Sequence, residues 1–371
     1  MPQAKHYSFI GAALLLLLIF SCQEKRLSLK YKSVPFQSKD YQLALNDSSM
    51  VEDWVYDAKD NLFASWNAAT YSIDLYDLQK QSFQKRYFLF PEGPFGIGNV
   101  EALVFEGEFI SAVDPVRNIR VKINLVSGEK ELFRIVNPQN QSVFDDYNIN
   151  IVNEFSSKPY LGDHHQIWPI TPNEDFLSEE YYSGNVFLLD DYKLLGHWPK
   201  AYRDYYFGLL GEPSFSYSDS LLFLSFPVDQ EVKIFDFSGE EQESVFLSSE
   251  YFNPFEGMTR EEPDLQQETN MTITENWFLK TIYNQGKLIR FEKESQELKN
   301  INGRLNSKLF GKWRLVWIDL NRPEMIYTMD LPEKELFLPI SFPYGNGILI
   351  KKITDQNEDF ADFVFVSLDI Q

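Results

Sequence analysis

The sequence predicts an all-β fold, a six-bladed β-propeller of four-stranded antiparallel blades closed by an N-terminal strand in the last blade. Three observations carry that expectation. Helical periodicity is nearly absent after residue 22, short β-branched and aromatic runs recur between Asp, Asn, Gly and Ser turns, and one strand pattern repeats six times.

The long repeat separates a propeller from a sandwich or a barrel. Residues 72–77, 120–124, 185–190, 231–236, 314–319 and 363–367 each alternate apolar side chains and end in or near an acidic or amide residue. Most copies are followed by a polar turn and another strand, at 82–90, 129–136, 243–247 and 324–331. They are preceded by two more, as at 52–56 and 61–66 or at 276–283 and 287–292. Four strands repeated every 45 to 85 residues or about that length read as one blade. The third unit is irregular, because 148–168 does not divide cleanly. The sixth has strands at 336–340, 347–352 and 362–368 and lacks a fourth. Residues 40–45 form a spare strand ahead of the first blade, and pairing it with the last blade would remove the exposed edges that invite aggregation.

The N-terminus reads as a lipoprotein signal peptide, residues 1–21. Lys5 and His6 precede an apolar run over 9–20, which is shorter than the roughly 20 residues a membrane-spanning helix needs. Ile19-Phe20-Ser21-Cys22 then gives the order of a lipobox, with small Ser21 before the cysteine to be acylated. Cys22 is the only cysteine, so once acylated it leaves no thiol for a disulfide, a metal site or a nucleophile. Residues 22–39, polar and with Pro35, read as a lipidated tether, and residues 40–371 as the propeller domain. Gln23 is not the aspartate that in some bacteria retains lipoproteins at the inner membrane, so the expected address is the outer membrane, facing the periplasm or the exterior.

The chain carries a formal charge of −21, and cleavage before Cys22 removes Lys5 with no acidic residue, making the mature chain more negative still. Such a chain repels polyanions, and no basic cluster exists to neutralise phosphates, so nucleic acid is not an expected partner. Membrane attachment must come from the N-terminal acyl chains, two or more of which anchor stably. With 44% hydrophobic and 16% aromatic residues there is ample material for a large core and little case for disorder.

After the first blade comes Glu92-Gly93-Pro94-Phe95-Gly96-Ile97-Gly98. Together with the lipobox, the six units and the strand pair around Tyr283-Asn284 and Ile289-Arg290-Phe291, the chain resembles a family of Gram-negative envelope lipoproteins with a TolB-like six-bladed propeller. The resemblance spans essentially the mature chain and implies fold and address. It carries no catalytic residues to transfer, and Asn284 and Ile289 depart from the Tyr-Asp and aromatic common there.

Connections from the last strand of one blade to the first of the next share a face with the loops joining second and third strands. The longest loops, 92–98, 137–148, 200–213, 251–270 and 293–312, fall on that face, and long loops on a rigid scaffold are where binding concentrates. Glu92, Tyr202, Arg203, Tyr205, Arg260 and Arg304 are the candidate ligand contacts there, because aromatic faces with charged groups suit a sugar or a peptide. The same aromatics equally suit a plug between blades. Asp163-His164-His165 is the one string suggestive of a metal, with Asp145 or Asp146 as a third ligand. Adjacent side chains on a strand point opposite ways, so His164 and His165 read first as hydrogen-bonding residues and no metal is expected.

No GxSxG elbow, HExxH, P-loop, dinucleotide fingerprint or EF-hand loop occurs, so no cofactor is expected. The sequence therefore points to a non-catalytic binding or scaffold module for a peptide, glycan or partner protein. The alternative is a hydrolase or lyase with carboxylates at the channel mouth.

Overall fold

In the computed structural model, residues 29–46, 55–135, 145–162, 165–189, 193–261, 263–355 and 357–369 are described. They form 26 strands: β1 (Lys30–Ser33) and β2 (Ser38–Ala44), then groups in chain order. The first group is β3 (Tyr56–Lys59), β4 (Leu62–Asn67), β5 (Ser72–Asp77) and β6 (Ser82–Phe88). The second is β7 (Ala102–Glu106), β8 (Phe109–Asp114), β9 (Ile119–Asn124) and β10 (Lys130–Arg134). The third is β11 (Tyr147–Ile149), β12 (Tyr160–Leu161), β13 (Gln166–Pro172), β14 (Asn185–Leu189) and β15 (Leu194–His197). The fourth is β16 (Ser214–Tyr217), β17 (Leu221–Ser225), β18 (Glu231–Asp236) and β19 (Val245–Phe246). The fifth is β20 (Trp277–Asn284), β21 (Lys287–Lys293), β22 (Trp313–Asp319) and β23 (Met325–Asp330), and the last is β24 (Leu336–Tyr344), β25 (Gly347–Lys352) and β26 (Phe360–Ser367).

Within each group except the third the strands pair antiparallel with their sequence neighbours, the meander of a propeller blade. The inner strands of successive groups lie side by side, β3 against β7, β7 against β12, β16 against β20, β20 against β24, and β24 against β3. Tyr160 of β12 completes the series by packing on Tyr217 of β16, ring centroids 5.2 Å apart. Because each sheet is covered by a neighbour on both sides, inner and middle strands such as β5, β7, β21 and β22 are buried almost without alternation. The outermost strand β10 is half-buried or exposed throughout. The core is divided accordingly into clusters shared by neighbouring sheets, one joining β4 and β5 to β7, β8 and β9, another joining β17 and β18 to β21 and β22.

The recurring acidic or amide residue has a structural cause. It closes the turn after the third strand of a blade. Asp77 Oδ1 accepts from the backbone N–H of Lys80 at 2.8 Å, and Asn124 Oδ1 from Val126 and Ser127 at 2.9 and 2.8 Å. Asp236 Oδ1 accepts from Ser238 and Glu240 at 2.9 and 3.0 Å, and Asp319 Oδ1 from Asn321 at 2.9 Å. These are Asx-type turns, which supply partners for backbone groups that leave the ladder.

One feature gives form to an irregularity expected from the sequence, and one differs from that reading. The third group divides unusually, with β11 pairing the end of β13 (Ile149 opposite Ile170) and β12 pairing its start (Tyr160 opposite Ile167), so two short strands share one partner. The segment read as a tether, 22–39, contains β1, which pairs in parallel with β23 from Lys30 opposite Met325 to Ser33 opposite Thr328. Next along the chain, β2 runs antiparallel to β26 over its whole length, from Ser38 opposite Val366 to Ala44 opposite Phe360. A single pair, Ala44 with Ser82, connects it to β6.

Candidate functional site

The inner strands surround a cavity of about 590 Å³. Its rim is made of first-hairpin turns, including Asp60 and Asn61 after β3, Ser218 and Asp219 after β16, Gln285 after β20 and Gly345 after β24. Asp60 and Gln285 have φ of 55° and 48° in tight hairpins.

Two strand irregularities lie beside the cavity. The register of β20 against β21 shifts between Phe278 and Thr281, and that of β24 against β25 shifts between Phe337 and Ser341. A bulge re-aims side chains and frees backbone groups. The first falls at Lys280 and the second frees the carbonyls of Pro339 and Ser341. Lys280, 1% exposed, donates to these carbonyls at 2.7 and 3.0 Å and to Tyr56 Oη at 2.9 Å. Tyr56 Oη also accepts from the Ser341 N–H at 3.2 Å. Three inner strands, β3, β20 and β24, are thereby tied at one point. Burial holds the Lys280 ammonium well below its ordinary range, reinforced by the nearby charge of Lys158, and burial raises the Tyr56 phenol.

Lys158 is the second amine. It lies half-buried over the Tyr56 ring, 4.1 Å from the centroid, and donates to the Tyr56 carbonyl. Its own carbonyl accepts from Tyr217 Oη at 2.8 Å, fixing the segment across the channel. Burial lowers its pKa and the neighbouring Asp57 partly restores it. Asp57 shows the reverse, raised by burial and lowered by Lys158 and by the Phe105 N–H that its Oδ2 accepts at 2.8 Å. An amine and a carboxyl with opposed shifts thus share a tyrosine-lined cavity, with Tyr160, Tyr217, Tyr283 and Tyr344 in its wall.

None of the residues singled out from sequence on the loop-rich face lines this cavity. Tyr202 is fully buried, its hydroxyl donating to the Leu210 carbonyl at 2.8 Å and accepting from the Val228 N–H at 3.2 Å. Arg260 joins it, donating to the Tyr202 carbonyl and stacking over Tyr182 at 4.7 Å. Tyr205, half-buried on the same connection, faces Glu256, whose charge raises its phenol. Arg203 is exposed there, while Glu92 and Arg304 are exposed on connections of other blades. The glycines beside Glu92 serve the turn. A Cβ on Gly96 would fall 2.7 Å from the Pro91 carbonyl oxygen, and the Gly98 N–H donates to Asp114 at 3.2 Å.

Cys22 and His164 lie outside the described residues. His165 packs against Phe237, centroids 5.5 Å apart, and among the described residues no three His, Cys, Asp or Glu side chains are grouped to hold a metal. Sequence reasoning missed Tyr56, Asp57, Lys158 and Lys280. The signal available was Lys280, a lysine amid the otherwise apolar run Trp-Phe-Leu-Lys-Thr-Ile, since a charge in a strand buried on both faces requires partners.

No family model and no curated protein matches the chain. Among solved structures it is similar to a member of the DUF4221 family from Bacteroides vulgatus, at 15% identity and a TM-score of 0.70, over 90% of this chain and 97% of that one. It is also similar to a Bacteroides fragilis protein described as exported, at 12% identity and a TM-score of 0.54, over 92% of this chain and all of the other. At these identities the likeness is one of architecture, which many functions share. The chain is a β-propeller and shares its fold with those Bacteroides proteins.

Proposed function

We propose that the chain is a lipid-anchored envelope propeller of six blades, closed by β2 as the fourth strand of the last blade, and that it is a non-catalytic binding module whose ligand occupies the axial cavity. The cavity carries this reading. Ligand sites are concave, largely pre-formed and equipped with a few placed polar groups, and here the inner strands and the segment before β12 hold Asp57, Lys158 and the tyrosines around about 590 Å³. The lipobox ending at Cys22 supports the anchor, and Gln23 favours the outer membrane. Among the described residues no helix is long and apolar enough to cross a membrane.

One observation favours the alternative, a hydrolase or lyase. Asp57 and Lys158 have oppositely shifted proton affinities, as acid and base partners do. Against it, the other carboxylates in the lining, Asp60 and Asp219, belong to the rim turns.

The test compares the mature chain with an Asn61→Trp, Asp219→Trp rim variant, each immobilised and exposed to glycan and peptide fractions of the native envelope. The variant should retain at least tenfold less of whatever the native chain holds. Equal retention would overturn the axial reading, and conversion of a retained fraction would favour the enzyme.

A further inference from the structure

We propose that the axial cavity takes an acidic sugar whose carboxylate is seated on Lys158. This rests on the axial binding reading and names its ligand class.

The inner strands are poorly suited to a peptide. Binding an extended peptide by strand addition needs free backbone donors along an edge. Here four inner-strand donors are already taken by side chains of an adjacent blade. Asp57 caps the Phe105 N–H at 2.8 Å, Ser214 caps Thr281 at 3.0 Å, Ser216 caps Tyr283 at 2.7 Å, and Tyr56 caps Ser341 at 3.2 Å. A ligand must therefore be read by side chains. The wall includes five tyrosines, Tyr56, Tyr160, Tyr217, Tyr283 and Tyr344, with hydroxyl and amide groups between them, among them Ser216, Ser218 and Asn61. Tyrosine offers a face for the C–H side of a pyranose and a hydroxyl for its oxygens.

Three amines lie in or beside the cavity and differ in what they leave open; Lys59, at the end of β3, is exposed to solvent. Lys280 has three acceptors for its three hydrogens and is a structural tie. Lys158 makes one hydrogen bond, to the Tyr56 carbonyl, and no described carboxylate lies within ion-pair distance of its ammonium. Asp57 is near enough to act on it electrostatically but spends an oxygen on Phe105. A desolvated ammonium with donors to spare is satisfied by an anionic oxygen pair, which a uronate carries and a neutral hexose does not.

Isothermal titration calorimetry with D-glucuronate and D-galacturonate, set against D-glucose and D-galactose, tests this on the mature chain and on Lys158→Met and Lys158→Arg. At least one uronate should bind the native chain tenfold or more tighter than its neutral twin. Lys158→Met should remove that preference and Lys158→Arg keep it, with circular dichroism showing both variants folded. Should Lys158→Met fail to fold, loss of the preference on raising native protein to high salt, set against its retention at low salt, decides instead. Equal binding of neutral and acidic sugars, or a preference that survives Lys158→Met, would overturn the proposal. Absence of uronate binding while the rim variant still loses envelope ligands would overturn the ligand class and leave the axial reading standing. If the rim variant loses nothing, both fall.

Discussion

Lys293 shows how this fold treats a buried charge. At the end of β21 its ammonium donates to the carbonyls of Ile273 at 2.5 Å, Glu275 at 3.3 Å and Glu294 at 3.1 Å, the first two at the C-terminal end of the helix Leu265–Thr274. Burial, opposed by Glu275, brings its pKa from 10.5 down to about 8. Between those values the unfolded chain holds a proton that the folded chain lacks, so stability rises with pH across that window and stays at its lower level beneath it. From pH 8 to 9.5 the unfolding free energy is expected to gain up to about 2 kcal/mol. Urea titrations at pH steps should show a gain in the native chain that is smaller by up to about that amount in Lys293→Met, the part that remains coming from Lys280 and Lys158, whose amines burial also lowers. The range stops at 9.5 because buried phenols such as Tyr56 and Tyr202 are raised and act with the opposite sign beyond pH 10. An equal gain in the variant would assign the effect to other groups.

At the level of the element, the third strand of each blade is the most legible part of the chain, because its closing residue performs a local task that its chemistry reveals. Asn124→Ala leaves the Val126 and Ser127 N–H groups without their acceptor on an exposed turn where water replaces it in part. The expected cost is about 1 kcal/mol, read as a lowered urea midpoint with an unchanged slope. Asn124→Asp, which keeps the acceptor, should lose much less. A full loss in both variants would mean that the turn is held otherwise. The divided edge of the third group was not legible, since strands of three and two residues display no period and their pairing depends on which half of β13 each one reaches. β1 was hidden for another reason. All four of its residues are exposed, so no apolar alternation marks it, and only its backbone bonds to β23 make it a strand. The cavity was the least legible feature, because Tyr56, Asp57 and Lys158 and the Lys280 beside them come from three distant stretches that only the tertiary fold brings together. Long loops drew attention to the opposite face, where Tyr202 turns inward as packing.

At the scale of the molecule, the proposed anchor at Cys22 would make β1 set which way the cavity points. The Lys30 N–H donates to the Glu324 carbonyl at 2.8 Å, in the turn between β22 and β23, and the Leu320 N–H of that turn donates to Gly286 at 2.8 Å. Gly286 is next to Gln285 on the cavity rim. The chain therefore reaches β1 on the face where the cavity opens. Seven peptide steps separate Cys22 from Leu29, a span of about 25 Å at full extension. An acyl-anchored chain held so closely should keep the cavity mouth toward its membrane and the loop-rich face away from it. Single cysteines at Asp219→Cys on the rim and Arg203→Cys on the opposite face, labelled with a donor fluorophore in lipidated protein on liposomes containing a headgroup acceptor, measure this directly. Energy transfer should be several-fold greater from position 219 than from position 203, and a long Gly-Ser insertion after Gln23 should erase the difference by letting the body tumble. Equal transfer without the insertion, or greater transfer from 203, would show that the mouth does not face the bilayer, and ligands would then reach Lys158 from the aqueous side.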